Sequence, residues 1–397
     1  MANSIDYASI FQTALDEQML QAMTTSKMEA QASQVKYTGG NEIKILKMTL
    51  EGLGDYSRTS STHFPTGDIT TSWETHSFDM DRGKEFFLDR MDNDEQFVDI
   101  AGQIMSEFQR VHVSPEVDAY RYEAIWDKAV DDGQVGSYTP ATSTIFGQLK
   151  DDIADLQDVI GETEPLTIYM RYPVANMLDQ ADEIYHQLDA KDATGTNTKQ
   201  RTIDGIPIIR VPSIRFKTDF TFSATDGFSA GTYAMPINWI IAADRAVIGI
   251  VKTEKPRIFS PDVNQDGDGW KFQYRKYHTL IIPDNKLEGV YVNYYNSVSA
   301  PALTATIAGG SASGTTSFTA TAGTGNTLAY VLGASSPGVM YQDLIADGSP
   351  TGAVTGYISG ADITATAGQV LTMLELDSNS RVVKILEDTL ESGDITT

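Results

Sequence analysis

Between residues 78 and 130 the chain carries an apolar pattern that dictates a long helix. Phe97, Ile100, Ala101, Ile104, Met105 and Phe108 recur at steps of three and four, the spacing that lines one face of an α-helix. Asp94 and Glu95 precede them, where the positive N-terminal end of a helix favours acids. Ser114-Pro115-Glu116 restarts the pattern, with Ser114 read as an N-cap and Pro115 as the first helical residue. Val117, Tyr120, Ala124, Ile125 and Ala129 carry the stripe on until Gly133 stops it. Burying four large side chains of such a face contributes on the order of 6–12 kcal/mol. A helix of this kind is marginal alone in water, so its stripe demands a surface to dock on.

The flanking segments switch period. Residues 1–40 open with Phe11, Leu15, Met19, Ala22 and Met23 at helical spacing and end at Gly39-Gly40, a pattern that fits an arm packing on something else or an ordinary first helix. Residues 42–50 alternate like a strand, and 51–71 are crowded with Gly, Ser, Thr and Asp, the residues of turns and loops. A second extended stretch through Trp73, Thr75, Ser77 and Met80 follows. The simplest arrangement is a long two-stranded hairpin with a polar tip, and an isolated hairpin is marginal in water, so it expects a neighbour.

Beyond the long helix, Ile145, Leu149, Ile153, Leu156 and Ile160 predict a second amphipathic helix. A strand over 166–171 and a helix from Pro173 through Leu188 come next, then a polar loop over 192–200. Asp204-Gly205 between two apolar runs is a strong hairpin signal. Pro207 and Pro212 place the second of those strands at a sheet edge. Further strands are expected at 239–242, 247–252, 270–282 and 290–295. Helices and hairpins without regular βαβ alternation read as α+β.

Near Ser299 the composition changes: no Lys or Arg occurs between Lys286 and Arg381, and Gly, Ala, Ser and Thr dominate. Alternating runs at 317–321, 328–332 and 370–376, with an apolar run at 382–386, predict a separate β-sandwich of immunoglobulin size.

The formal charge is −25, from 54 acids against 29 bases. Nucleic-acid recognition leaves a basic footprint, and none is visible, so direct DNA recognition is disfavoured. With 397 residues and 41% hydrophobic content the chain can bury sizeable cores. No apolar run reaches about 18 residues, so no membrane span is expected, and the absence of Lys or Arg before Lys27 argues against a secretory signal. Zero cysteines exclude disulfides, thiolate metal sites and cysteine nucleophiles.

Catalytic signatures are missing. There is no P-loop, dinucleotide fingerprint, HExxH or G-x-S-x-G elbow. His63, His76, His112, His186 and His278 are scattered, with no pair at ligand spacing, and Asp79/Asp81 and Asp92/Asp94 are the acid pairs an acidic chain produces by chance. The expectation is no catalytic, cofactor or metal residue. Asp262, Asn264, Asp266, Gly267 and Asp268 reproduce the first half of a calcium loop. Gln273 stands where the loop needs a bidentate Glu, and a hairpin turn explains the stretch without metal.

Taken in order, these pieces resemble a known family. Lys36-Tyr37 with residues 44–50, Asp89-Arg90-Met91-Asp92, Phe108-Gln109-Arg110 through Tyr120, Ile203-Asp204-Gly205-Ile206-Pro207-Ile208 and residues 255–261 (KPRIFSP) resemble segments of the major capsid proteins of tailed bacteriophages with the Hong Kong 97-type fold. The resemblance covers about residues 1–298. It implies an N-terminal arm (1–41), an extended loop (42–88), a peripheral domain with the long spine helix (89–139), an axial domain (140–260) and a return to the peripheral domain (261–298). Residues 299–397, with an acidic tail, resemble the immunoglobulin-like domains that decorate some phage heads. The implied role is that of a coat protein assembling as pentamers and hexamers into an icosahedral shell around a dsDNA genome, bound without sequence specificity. A portal, a scaffolding protein and a maturation protease are the implied partners, and the virion capsid, assembled in the host cytoplasm, is the implied location. Two departures matter. Residues 52–72 contain no lysine, only Arg58, which disfavours the loop-tip cross-link of some relatives, and no long scaffolding segment precedes the arm. The competing reading is a cell-surface or tail-associated adhesin with a C-terminal binding module and a calcium loop at 262–268.

Overall fold

The computed structural model describes residues 23–29, 42–56, 58, 64, 66–91, 101–181, 202–225 and 227–397. They group into two compact units: the described parts of Met1–Gly136, Pro140–Gly231 and Ile237–Asn293, and then Ser137–Thr139, Thr232–Pro236 and Tyr294–Thr397. The expected stripe of residues 11–23 (up to Ala22), together with Lys36, Tyr37, Asp92, Asp94, Glu95, Phe97, Ile100, Ile184, Leu188 and the 192–200 loop, lies outside the described residues.

In the first unit the spine runs as a helix Ala101–Phe108, one π-helical turn Gln109–Val113, and a helix Ser114–Asp131. Ser114 is not an N-cap. Its backbone is helical, at φ −62° and ψ −45°, and both its N–H and its hydroxyl donate to the Gln109 carbonyl. Pro115 lacks the N–H that an unbroken α-helix requires. The inserted π turn shifts the hydrogen-bond ladder by one residue at that point, so the chain passes the proline without stopping. Termination comes where expected, with Asp132 N–H on the Lys128 carbonyl and Gly133 at φ +74°.

Two sheets receive this helix. The three-stranded one has the order Ile248–Phe259, Gly269–Ile281, Met80–Asp89, all antiparallel. Its inner face meets the first spine segment through Leu88, Phe272, Tyr274 and Met105, with Phe86, Ile104 and Phe108 packed alongside. The six-stranded sheet has the order Val135–Ser137, Val290–Tyr294, Ile237–Ala243, Leu166–Arg171, Ile206–Val211, Thr202–Ile203. All seven residues of Ile237–Ala243 are buried. The helix Ile145–Ile160 buries Ile145, Leu149, Ile153 and Leu156. It also buries Asp152, whose carboxylate accepts hydrogen bonds from Trp239 Nε1 and Asn293 Nδ2, both at 2.9 Å.

The Asp204-Gly205 turn appears as expected, with φ of 50° and 81° at its two residues, the paired positive values of a type I′ hairpin. Ile206–Val211 is covered on its outer side only by the two-residue strand Thr202–Ile203, which is why Pro207 is tolerated there. Its inner neighbour, Leu166–Arg171, runs parallel to it, so one βα-type crossover, including the helix Tyr172–Asp179, does occur in this α+β unit. The strand Met80–Asp89 joins Gly269–Ile281, and the turn over 260–268 joins Ile248–Phe259 to it, so all three belong to one sheet.

The second unit holds a three-stranded sheet (Ala305–Gly309, Thr315–Ala320, Ile363–Thr364) and a four-stranded one (Ala353–Val354, Thr327–Gly333, Val370–Leu376, Val382–Thr389). Phe318, Leu328, Leu371 and Met373 form a core with Tyr357 and Ile363. The four-stranded sheet also carries apolar contacts on its other face, where Ile345 with Val339 and Ala300 packs on Val331, Leu374 and Leu376. The Phe318 and Tyr357 rings stack at 4.1 Å, and the Tyr357 hydroxyl donates to the Phe318 carbonyl at 3.0 Å. Phe318→Ala is expected to destabilise this unit by about 3–5 kcal/mol, measured as a fall in its denaturation midpoint with the first unit's transition unchanged.

Candidate functional site

The described residues present two features built for holding other segments: a clip near the N-terminus and an uncovered hairpin face. The clip begins with Asp118 of the spine, which is fully buried. Its carboxylate accepts from Thr24 N (2.9 Å), Thr24 Oγ1 (2.7 Å), Thr25 N (3.1 Å), Thr25 Oγ1 (2.7 Å) and Arg215 Nη1 (2.8 Å). One turn along, the equally buried Arg121 donates to the Thr25 hydroxyl at 2.9 Å and to Glu29 Oε1 at 2.6 Å. Lys27 reaches Asp244 at 2.8 Å, and Met28 is buried. Residues 23–29 are thus bound to the first unit by charge-assisted hydrogen bonds, the strong class.

Sequence reasoning missed this cluster. Hydrophobic periodicity assigns Asp118 and Arg121 to the polar face, and Arg215 is 97 residues away from Asp118. The buried face of Ser114–Asp131 also includes Ala119, Tyr122 and Trp126, so the helix is enclosed on more than the predicted stripe.

The hairpin pairs Glu42–Leu50 with Ile69–Ser77 in unbroken antiparallel register. Its base is fixed by the cluster of Ile43, Phe78, Ile248, Ile250 and Ile281, and by Lys47, which pairs with Asp284 and Glu74. Further out, Leu46 faces Trp73, Met48 faces Thr71 and Leu50 faces Ile69. Cross-strand partners share one side of a ribbon, so these residues form one apolar face. Exposures of 53% for Leu46, 61% for Met48, 60% for Leu50, 70% for Ile69 and 65% for Trp73 show that no described residue covers it. Towards the tip, Tyr56 and Phe64 meet edge-to-face at 5.0 Å.

The candidate chemical residues are dispersed. His63 and His186 lie outside the described residues, His112 is exposed, and His76 sits 2.6 Å from Glu74. His278 is buried, and burial, reinforced by Arg121 and Lys276, pushes its pKa down to about 3. Asp81 is engaged by Arg275, Nε to Oδ1 at 2.8 Å, which holds its carboxyl below the usual range. The 262–268 stretch is a hairpin turn: Asp266 pairs with Lys271, and Asn264 Nδ2 donates to the Gly269 carbonyl at 2.9 Å. Among the described residues, no group of three or more His, Asp or Glu side chains is placed to hold a metal ion. No helix of the described residues is long and apolar enough to cross a membrane. Glu123, on the spine, has its pKa raised to about 7, chiefly by burial and then by Asp127 and Asp219.

Comparison with known proteins places this geometry. The chain superposes on a structure from Mycobacterium phage Che8 with a TM-score of 0.51 and 12% identity, covering 74% of this chain and 98% of that one. The bacteriophage PhiM1 mature capsid gives a TM-score of 0.53 at 10% identity, covering 74% and 93%. The capsid of cyanophage P-SCSP1u gives 0.51 at 14% identity, covering 73% and 92%. The chain is therefore a mixed α+β protein with the fold of phage capsid proteins. Residues 308–393 match the family described as the S-layer protein SbsC C-terminal domain. No curated protein matches the chain in sequence.

Asp118→Ala strands Arg215 in the core without its counter-charge, and breaking a buried pair in this way costs about 3–5 kcal/mol. The denaturation midpoint of the first unit is expected to fall accordingly, and limited proteolysis to begin within residues 23–29. Glu123 has the opposite sign from a salt-bridged acid. Its raised pKa means that the folded state holds the proton more tightly, so its contribution is complete below about pH 4.5 and is lost as pH rises through about 7. Glu123→Gln is therefore expected to match the parent in stability near pH 4 and to exceed it at pH 8, as read from denaturation midpoints at the two pH values.

Proposed function

We propose that this chain is the major coat protein of a tailed bacteriophage head, self-assembling as pentamers and hexamers into an icosahedral shell that encloses dsDNA. The observation that carries the reading is the exposed apolar face of the hairpin on a subunit with the capsid-protein fold. Its five large side chains offer about 1.5–3 kcal/mol each on burial, and a two-stranded ribbon gains stability only by lying on something. A second copy of the chain, repeated around a lattice, provides that support for every subunit.

In this reading the fold is of the Hong Kong 97 type. Residues 1–41 are the arm, tethered through residues 23–29, and 42–88 are the extended loop. The spine lies in a peripheral domain (89–139), followed by an axial domain (140–260) and a return to the peripheral domain (261–298). Residues 299–397 are an immunoglobulin-like domain displayed on the outer surface, a placement supported by the match of 308–393 to a domain of a surface-layer protein. The net charge of −25 opposes phosphate contact and lets a packaged genome move without sticking. Portal, scaffolding protein and maturation protease are the partners of such a subunit, the virion capsid is its location after assembly in the host cytoplasm, and the role involves no catalysis or cofactor.

The same surface-layer match favours a second reading, a cell-surface or tail-associated adhesin, which requires a monomeric or fibrous state. Electron microscopy of the full chain, expressed alone and with its genomic neighbours, separates the two. Closed shells or capsomer rings are expected, and a monodisperse monomer under every condition would sink the coat reading. The double variant Leu46→Ser, Trp73→Ser alters only exposed positions and is expected to keep the subunit's circular dichroism and denaturation midpoint. Losing two apolar contacts per neighbour should raise the concentration needed for assembly about tenfold or more, measured by sedimentation of particles against free subunits.

A further inference from the structure

One carboxylate of the second unit holds two groups that can react with each other. Glu375 lies on Val370–Leu376, an inner strand of the four-stranded sheet, and is 1% exposed. Lys384 stands directly opposite it on Val382–Thr389, and Lys384 Nζ donates to Glu375 Oε2 at 2.8 Å. On the other flank Asn326 leads into the strand Thr327–Gly333. Asn326 Nδ2 donates to Glu375 Oε1 at 2.6 Å, and the Gly323 N–H adds a second hydrogen bond to the same oxygen at 2.9 Å. The Asn326 N–H donates back to the Gly323 carbonyl at 3.0 Å, which pins the asparagine in its turn.

The setting is apolar. Side chains two apart on a strand share a face, so Glu375 lies on the side of Leu371 and Met373, which are buried in the core with Phe318. Lys384 lies on the side of Leu386, which packs against that same core. Burial alone pushes the Glu375 carboxyl up, but Lys384, Asn326 and Gly323 hold it below its usual range, so the resting pair is ionic. Burial penalises both charges of such a pair, which narrows the gap to the neutral acid and free amine.

A lysine, an asparagine and a carboxyl spanning them are the parts of an acyl transfer: a nucleophile, an acyl carbon and a proton carrier. Holding both reactants on one carboxyl replaces a bimolecular encounter with an intramolecular step. We propose that Lys384 and Asn326 join in an isopeptide bond, with Glu375 moving the protons. Lys384 Nζ passes a proton to Glu375 and attacks Asn326 Cγ as the free amine. The Nζ–Cγ bond forms as the amide carbonyl opens to a tetrahedral oxyanion. Glu375 then gives its proton to Nδ2 and takes one from Nζ. The Cγ–Nδ2 bond breaks, and ammonia leaves with the carboxyl proton as ammonium. Glu375 ends as the carboxylate it began as, and no co-reactant is consumed. A groove of about 370 Å³ beside Lys384 gives the ammonium a way out.

The bond ties Val382–Thr389 to the turn before Thr327–Gly333, across the strand that lies between them. In a chain without cysteine it supplies the covalent closure that a disulfide would. It lies within one subunit, uses no hairpin residue, and does not depend on the coat reading.

Mass spectrometry of the purified full chain tests this. The parent is expected one ammonia lighter than its sequence. Trypsin does not cut after an acylated lysine, and no Lys or Arg lies between Lys286 and Arg381. The digest is therefore expected to hold residues 287–381 and 382–397 as one branched species. Lys384→Arg keeps a positive charge facing Glu375 but lacks the amine, and it is expected at full mass, as are Asn326→Ala and Glu375→Gln. The branched species is read on the parent itself, so the test stands even where a variant fails to fold. A parent at full mass that is still cleaved after Lys384 overturns the proposal. So does an ammonia loss that persists in Lys384→Arg, since an asparagine alone loses ammonia by closing on its own backbone. Undiminished branching in folded Glu375→Gln overturns the part assigned to Glu375.

Discussion

A single buried carboxylate organises the first unit. Asp118 is surrounded on every side: two threonines offer it both their backbone and hydroxyl hydrogens, and Arg215 closes the shell. Each of those donors belongs to a different part of the chain from the spine itself. Burying an isolated charge is prohibitive, and only complete hydrogen bonding makes it tolerable. The cluster is therefore all-or-none. Either residues 23–29, the Ser213–Arg215 turn and the spine helix meet together, or none of them is held there. Apolar contacts tolerate sliding, but this arrangement does not, so it fixes the register of the N-terminal segment on the spine.

The hairpin obeys the opposite logic. Its base is closed by Ile43 and Phe78 in an apolar cluster, while among the described residues everything beyond Lys47 is held by its own ladder. A chain that folded only for its own stability would have placed polar residues at 46, 48, 50, 69 and 73. The sequence instead keeps them large and apolar, although exposed apolar ribbons with open edges are an aggregation liability. The liability is consistent with a surface whose partner arrives after folding.

How much of this could be read from residues alone depended on whether the determinant was local. Period-two alternation and the Asp204-Gly205 pair are local, and both hairpins stand where those signals put them. The helix Ile145–Ile160 likewise matches its apolar spacing to the residue. Non-local determinants stayed hidden. Asp118, Arg121 and Arg215 look like solvated residues until the fold brings them together. Thr372 sits buried in Val370–Leu376 on the side of Leu374 and Leu376, which the segment carrying Val339 and Ile345 covers. Ser114-Pro115 misled for a third reason: the residues that begin a helix were used here to continue one.

That continuation has a geometric effect of its own. Each residue advances an α-helix by about 100°, and the π turn at Gln109–Val113 inserts one residue's worth of phase between the two halves of the spine. The first half can then aim Met105 and Phe108 at Phe272 and Tyr274, while the second presents Tyr122 to Tyr169 of the six-stranded sheet, 5.7 Å between rings. The wide turn works as a vernier: a single rod is given two bearings, and the angle between the sheets it serves is written into the length of five residues rather than into their chemistry.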